Sequence, residues 1–459
     1  MLFRKFTKTL EEFLVSHPDK ILLINGARQV GKSYLVRYVC KKLFKNYVEI
    51  NLKEDQEGHQ IFSTVGSTDD FYLQLGAIAG DKLGASEDTI VFLDEIQSYP
   101  HLMTLLKFLN QERRYRYIAS GSQLGVALAQ TPSVPMGSIA IKEMYPLDFE
   151  EFLLAQGCGQ DTIDSIEQKF KAGEPLNESL HAFMMHQFRL YLLVGGLPEA
   201  VKTFNESRNI TRVRAVQKDI HELYRIDASQ YDEKKKLVIR KVYDLIPSNM
   251  ENRKKRVFIS DIEQTKAHKQ FSSYSQEFEY LTNSGVAIEV KAISNPKFPL
   301  RESEQKNLLK LYLNDVGLLT YLLYSNNINA ILQDKKSINL GSVYETVVAQ
   351  ELNAHGFKMN YYDNKSIGEV DFLIDDYRNL TVLPLEVKSG KDYEIHRALD
   401  RFLSIKDYGI TDAVVLSNER EIIRDGGITY MPVYYCMFYK LDFEETDTII
   451  PPMPIPGSL

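Results

Sequence analysis

Eight consecutive residues, Gly26, Ala27, Arg28, Gln29, Val30, Gly31, Lys32 and Ser33, have the types and spacing of a phosphate-binding loop, G-x-x-x-x-G-K-[ST]. Glycines let backbone N–H groups curl around phosphate oxygens, and a helix starting at the loop adds the positive end of its dipole. Lys32 would reach the β and γ phosphates of ATP. Ser33 would place its hydroxyl on Mg²⁺, a hard cation that takes oxygen ligands. A second pattern is the run Thr89-Ile-Val-Phe-Leu93, which ends in Asp94 and Glu95. At the end of a buried parallel strand, Asp94 would complete the Mg²⁺ shell and Glu95 would activate the attacking water. The same two acids would also suit the cap of a following helix. Ser120 and Ser122 follow another strand-like run; Ser122 is read as a γ-phosphate sensor, although Ser-Gly-Ser is equally a turn sequence.

A third constellation lies far downstream. Gly368-Glu-Val-Asp-Phe-Leu-Ile374 and Leu380-Thr-Val-Leu-Pro-Leu-Glu-Val-Lys388 read as two strands joined by a polar turn. A hairpin centred between Arg378 and Asn379 sets Asp371 opposite Glu386 and Glu369 opposite Lys388, with all four side chains on one face. Glu369 with Lys388 is a favourable cross-strand pair. Asp371 against Glu386 puts like charges at a Cβ separation of about 4.5–5.5 Å, which is destabilising. A divalent cation between them would remove the repulsion and create a hydrolytic centre, with Lys388 helping to deprotonate water or stabilise charge on a phosphate. Glu345 is a further candidate ligand, although Ser342-Val-Tyr-Glu345 also reads as a capping box. Without a cation the hairpin would carry ordinary salt bridges. Pro384 threatens this register, because a slip of one residue turns every side chain to the other face.

The elements that must position these groups are legible in outline. Strand-like runs at 21–24, 47–51, 89–93 and 115–119 alternate with helical segments, which argues for a parallel α/β sheet with its ligand at the carboxyl ends of the strands. Residues 150–335 are rich in helix formers. They include a basic stretch, Lys234, Lys235, Lys236, Arg240, Lys241, Arg253, Lys254, Lys255 and Arg256, followed by a helix at 273–283 and a strand at 286–293. That order suits a winged-helix module. The basic residues are either candidate DNA-phosphate contacts or a solvated face.

Together with Leu93-Asp-Glu-Ile-Gln97, Tyr145-Pro-Leu-Asp-Phe-Glu-Glu-Phe152, Gly195-Gly-Leu-Pro-Glu199, Lys310-Leu-Tyr-Leu-Asn-Asp-Val-Gly-Leu-Leu319 and Gly368-Glu-Val-Asp-Phe372, the loop makes the chain resemble a widespread prokaryotic family. Its members join an AAA-type ATPase domain to a C-terminal domain similar to PD-(D/E)xK nucleases. The resemblance implies an α/β protein with a parallel-sheet P-loop NTPase core at 1–160 and a helical region with a winged-helix-like module at 161–335. A nuclease-like α/β domain would follow at 336–450, then a Pro-rich tail at 451–459. Many relatives carry an arginine after the glycine that precedes the Tyr-Pro-Leu segment; here Met136-Gly137-Ser138 stands there. Such an arginine finger is worth about 10³–10⁵ in rate. Turnover is therefore expected to be slow unless Arg113, Arg114 or Arg116, a second copy of the chain or a protein partner supplies one.

The length of 459 residues implies two or three domains, and 44% hydrophobic with 25% charged residues is ordinary for a globular protein. A net charge of −7 excludes a global attraction to nucleic acid. Three widely spaced cysteines exclude a disulfide framework or zinc cluster, and no apolar run suits a signal peptide or a membrane span, so a soluble cytoplasmic protein is expected. Two functions compete: an ATPase controlling a Mg²⁺-dependent nuclease that acts on DNA, and a nucleotide-dependent switch whose nuclease-like domain is an inactive platform for DNA or protein. A small-molecule kinase lacks an identifiable acceptor site.

Overall fold

The computed structural model describes the chain except residues 1, 17–18, 123, 126–136, 229–234, 252–254, 263–270, 334–337, 391–393 and 442–459. The Pro-rich tail and Met136, Lys234, Arg253 and Lys254 lie outside the described residues.

The apolar runs of the N-terminal region become β1 (Ile21–Asn25), β2 (Asn46–Asn51), β3 (Thr89–Asp94) and β4 (Arg116–Gly121). With β5 (Ile139–Glu143) they form a parallel sheet in the order β2-β3-β4-β1-β5. Alternation along each strand sorts the side chains between two cores. Leu22, Ile24, Ile90 and Phe92 pack with Leu35, Val36 and Val39 of the helix Lys32–Leu43 on one face. Ile21, Leu23, Val91 and Leu93 pack with the helices Thr68–Ala79 and Pro100–Glu112 on the other. Being covered on both faces is what lets β1 and β3 be apolar throughout. β5 is not foreshadowed in the sequence, because its short Ile-Ala-Ile-Lys-Glu run is mostly solvent-facing at the outer side of the sheet.

The middle region is helical: Gln160–Ala172, Glu178–Val194, Pro198–Ser207, Ile210–Ala228, Lys236–Glu251 and Ser275–Asn283. The expected helix-then-strand order is present, since β6 (Ala287–Ile293) follows and pairs antiparallel with β7 (Glu304–Leu313). That pair does not stand alone. β6 also pairs in parallel with β8 (Asn360–Asn364), so one eight-stranded sheet, β12-β13-β11-β10-β9-β8-β6-β7, runs across the boundary expected between residues 335 and 336. Its other strands are β9 (Gly368–Asp376), β10 (Thr381–Val387), β11 (Ala413–Ser417), β12 (Ile423–Asp425) and β13 (Ile428–Pro432).

The β9–β10 hairpin has the register read from its turn. Thr381 faces Asp376, and the ladder continues to Leu385 facing Phe372, which brings Glu386 to the side of Asp371. The turn closes because Asp376 Oδ1 accepts from Arg378 N at 3.1 Å and Asn379 N at 3.0 Å. Pro384 sits opposite Leu373 without a slip, and the parallel ladder to β11 begins only at Leu385.

The regions meet at a buried polar junction. Asp315 caps the helix Val316–Tyr324 by accepting from Leu318 N at 3.0 Å and also accepts from Gly196 N at 2.6 Å. Gly195 has φ 72, and a Cβ there would lie 2.2 Å from Asp315 Oδ1. Tyr191 Oη donates to Leu147 O at 2.6 Å, Gln350 donates to Tyr191 Oη at 2.6 Å and accepts from Val316 N at 2.9 Å, and Glu351 accepts from Phe149 N at 2.9 Å. Replacing Asp315 by Ala leaves two buried N–H groups without acceptors. It is expected to cost about 2–3 kcal/mol, with Asp315→Asn costing less, read from denaturant midpoints at constant m.

Candidate functional site

β1 delivers its last residue, Asn25, directly to the phosphate loop, and the helix Lys32–Leu43 begins immediately after Gly31. Gly26 at φ 154 and Gly31 at φ 96 use glycine's conformational freedom, and a Cβ on Gly26 would lie 2.2 Å from Met144 O. Non-glycine Gln29 (φ 65) and Glu95 (φ 56) are held in the left-handed region at the same place, a cost of about 1–3 kcal/mol each that the surroundings must enforce. Gln29, Gly31 and Glu95 border a cavity of 940 Å³ lined also by Arg4, Arg28, Lys32, Ser33 and Asp94 among others, large enough for a nucleotide.

Inside it, Lys32 Nζ donates to Gly26 O at 2.7 Å and Ala27 O at 2.8 Å. Burial lowers the Lys32 pKa from its ordinary value, with the charges of Glu95 and Asp94 working the other way. Ser33 Oγ donates to Asp94 Oδ2 at 2.6 Å, and Ser120 Oγ donates to Asp94 Oδ1. Burial lifts the Asp94 carboxyl against these two hydroxyl donors. Gln97 Nε2 donates to Glu95 and, at 3.3 Å, to Ser122 Oγ. The structure thus sets Lys32, Ser33, Asp94 and Glu95 at one cavity. Ser120 is the serine on Asp94, while Ser122 reaches the acids only through Gln97.

The expectation that Arg113, Arg114 or Arg116 could serve as a finger within one chain does not hold. Arg116 opens β4, and its Nη2 donates to Leu14 O at 2.8 Å; Arg114 lies over the Tyr72 ring, and Arg113 ends the helix Pro100–Glu112. β4 is parallel to β1, so these residues sit roughly 17 Å from the strand ends that face the cavity.

In the C-terminal sheet, Asp371 Oδ2 accepts from Val387 N at 2.9 Å and Lys388 Nζ donates to Glu386 Oε1 at 2.7 Å. Glu345 joins them from the helix Gly341–Ala354, close enough that its charge and those of Asp371 and Glu386 act on one another. Two further cations enter the group: Lys255 is bonded to Glu345 Oε1, and Lys310 lies 2.5 Å from Glu369 Oε1 and 4.0 Å from Glu345 Oε2. This corrects two sequence expectations. Glu369 pairs with Lys310 instead of Lys388, because β10 ends at Val387 and Lys388 turns to Glu386. The capping box is not formed, since Ser342 lies inside its helix and donates to Glu251.

The repulsion between Asp371 and Glu386 is relieved without a metal. Burial first, and the Asp371 charge second, push the Glu386 carboxyl up to about 8, and Lys255, Lys310 and Lys388 supply positive charge. Asp371, Glu386 and Glu345 are all buried, and among the described residues no group of three or more His, Cys, Asp and Glu side chains is arranged to hold a metal ion.

Four of the described residues of the basic stretch are likewise engaged within the chain. Lys235 contacts Glu277 at 3.5 Å, Arg240 contacts Asp244 at 3.9 Å, Lys241 donates to Ile262 O at 2.6 Å, and Arg256 contacts Asp363 at 3.5 Å.

Residues 18–153 match the family model described as an AAA domain. This stretch is an AAA-type domain. Residues 185–329 and 340–436 match two further models, each described as a domain of unknown function. An uncharacterized protein of Methanocaldococcus jannaschii is 24% identical over 367 residues, 78% of this chain and 72% of its own. A Walker-type ATPase of Pyrococcus abyssi is similar at 16% identity and TM-score 0.43, covering 70% of this chain and 96% of that one. The Aeropyrum pernix Orc1 protein in complex with DNA is similar at 15% identity and TM-score 0.33, covering 72% and 91%. No helix among the described residues is long and apolar enough to cross a membrane.

One residue of the AAA site had no signal in the sequence. Arg4, preceding the domain, is buried and braces the loop: Nη1 donates to Val30 O at 2.8 Å, Nη2 to Tyr145 O at 2.6 Å and Nε to Glu151 Oε2 at 3.1 Å. A lone arginine near an N-terminus has no local pattern that marks it.

The C-terminal cluster generates a pH prediction. The unfolded chain releases the Glu386 proton near the ordinary value of 4.5, whereas the folded chain keeps it to about 8, so stability falls as pH rises across that window. Glu386→Gln should remove this fall and be more stable than wild type at pH 8 by on the order of 2 kcal/mol, with little difference at pH 5, in paired denaturant titrations.

Proposed function

We propose that the AAA domain binds and hydrolyses ATP with Mg²⁺, and that its nucleotide state is passed to a C-terminal module acting as a binding platform. The observation that carries this reading is the convergence of Lys32, Ser33, Asp94 and Glu95 on one cavity at the carboxyl ends of β1 and β3. The hydroxyl of Ser33 and the carboxylate of Asp94 are hard oxygen donors 2.6 Å apart, which fit Mg²⁺. The bound cation would supply charge neutralisation on the phosphates. Lys32 would exchange its two loop carbonyls for phosphate oxygens, which suit an ammonium better. Glu95, oriented by Gln97, would hold a water and take its proton. Arg113, Arg114 and Arg116 are out of reach, so an arginine finger beyond Arg4 and Arg28, which line the cavity, would come from a second copy of the chain or a protein partner.

Transmission is supported by contact. Gly285, between the last helix of the middle region and β6, is packed so closely on the loop that a Cβ would lie 3.0 Å from Ala27 N. A cavity of 480 Å³ lies between Gly26 and Ala27 on one side and Asn314, Gln350 and Met359 on the other. The platform reading of the C-terminal module is supported by its buried, lysine-neutralised acids. The nuclease reading is favoured by one observation: Asp371, Glu386 and Lys388 stand together, with Glu386 Oε2 lacking a hydrogen-bond partner among the described residues.

Glu95→Gln is expected to retain ATP binding while lowering Mg²⁺-dependent turnover at least about 10²-fold, measured by phosphate release against nucleotide affinity. Unchanged turnover would remove Glu95 from its role. Incubation of the full chain with ATP, Mg²⁺ or Mn²⁺ and single-stranded, duplex or branched DNA is expected to give no cleavage. Cleavage that disappears in Asp371→Ala would replace the platform by a nuclease and make DNA its substrate.

A further inference from the structure

We propose that Arg28 is a phosphate-reading side chain held by Asp227, so that nucleotide entry exchanges one anionic partner for another and frees the end of the helix Ile210–Ala228. The proposal rests on the ATP reading of the cavity and adds a specific route out of it. Arg28 is the third residue of the loop, and its side chain lines the 940 Å³ cavity beside Lys32 and Glu95. Its Nη1 is bonded to Asp227 Oδ1, and its carbonyl accepts from Tyr224 Oη of the same helix at 2.8 Å. Arg28 acts on Lys32 through its charge, and Glu95 acts on Asp227, so the ion pair belongs to the phosphate end of the cavity.

Asp227 is only 5% exposed, and Arg28 is its ion-pair partner among the described residues. A guanidinium binds phosphate through a planar fork, so phosphate competes well for Arg28. Once Arg28 turns away, a buried carboxyl is left facing Glu95 and a polyanion without its counter-ion, and it is relieved by moving toward solvent or by taking up a proton. Asp227 is the next-to-last residue of its helix, and its carbonyl accepts from Tyr280 Oη at 2.8 Å. Tyr280 lies on the helix Ser275–Asn283, which leads into β6 and so into the C-terminal sheet. A displaced Asp227 therefore pulls on the element that carries the signal onward.

The test uses full-length protein, with calorimetric affinities for the slowly hydrolysed analogue ATPγS and for ADP, and amide hydrogen exchange over residues 210–228. Arg28→Ala should weaken ATPγS binding about tenfold, and Asp227→Asn should tighten it about fivefold. The double variant should bind like Arg28→Ala, because Asp227 acts only through Arg28. ATPγS should reduce protection at 224–228 in wild type but not in Arg28→Ala. Arg28→Ala binding within twofold of wild type, or Asp227→Asn binding more weakly, would overturn the exchange. The wild-type hydrogen-exchange measurement stands even where a variant fails to fold: unchanged protection at 224–228 on ATPγS binding also overturns it. Wild-type protein that binds no nucleotide would sink the ATP reading, and the exchange with it.

Discussion

Gly196 N and Leu318 N both end on the carboxylate of Asp315, and this small knot sets how the rest of the chain is assembled. A buried donor without an acceptor costs about 1–3 kcal/mol, so segments far apart in sequence are bound to one geometry. Burial raises the Asp315 carboxyl to about 6 against the backbone donors that surround it. Around it, hydrogen bonds of Tyr191, Gln350 and Glu351 link the AAA domain, the helical middle and the C-terminal helix. The Tyr-Pro-Leu-Asp and Gly-Gly-Leu-Pro-Glu segments that stand out in the sequence are largely parts of this junction.

The two acid-bearing sites solve the same electrostatic problem in different ways. At the phosphate loop, Asp94 is satisfied by two hydroxyls and sits beside an open cavity, an arrangement that a cation can enter by displacing neutral donors. In the C-terminal sheet, Asp371, Glu345 and Glu386 are answered by lysine ammonium groups and a retained proton, so a cation would have to displace charge of its own sign. Similar residue types therefore have different chemistry, decided by what else converges on them.

Local periodicity made much of this legible in advance. The loop, the acids after β3 and the register of β9 with β10 all depend on contacts between residues close in sequence, where turn chemistry and alternation are sufficient. Arg4 with Val30 and Glu151, Arg28 with Asp227 and Lys255 with Glu345 were not legible, because each joins residues whose neighbours give no hint of the other. The same limit hid the pairing of β6 with β8. A helix-then-strand pattern shows that a strand pair follows, but not which third strand hydrogen-bonds to it. Lys310 illustrates the effect on the acid cluster: a lysine within an apolar strand pattern becomes the counter-ion of Glu369 only because that extra pairing brings β7 into the same sheet.

The ladder from Lys291, Ala292 and Ile293 to Asn360, Tyr361 and Tyr362 also determines how the chain can be divided. Cutting at residue 335 would strip β6 of its neighbour and leave a row of unpaired backbone N–H and C=O groups along a largely apolar strand, a template for joining another chain. The C-terminal part would be left with β8 open in the same way. Separately expressed halves would therefore be drawn toward each other or into aggregates.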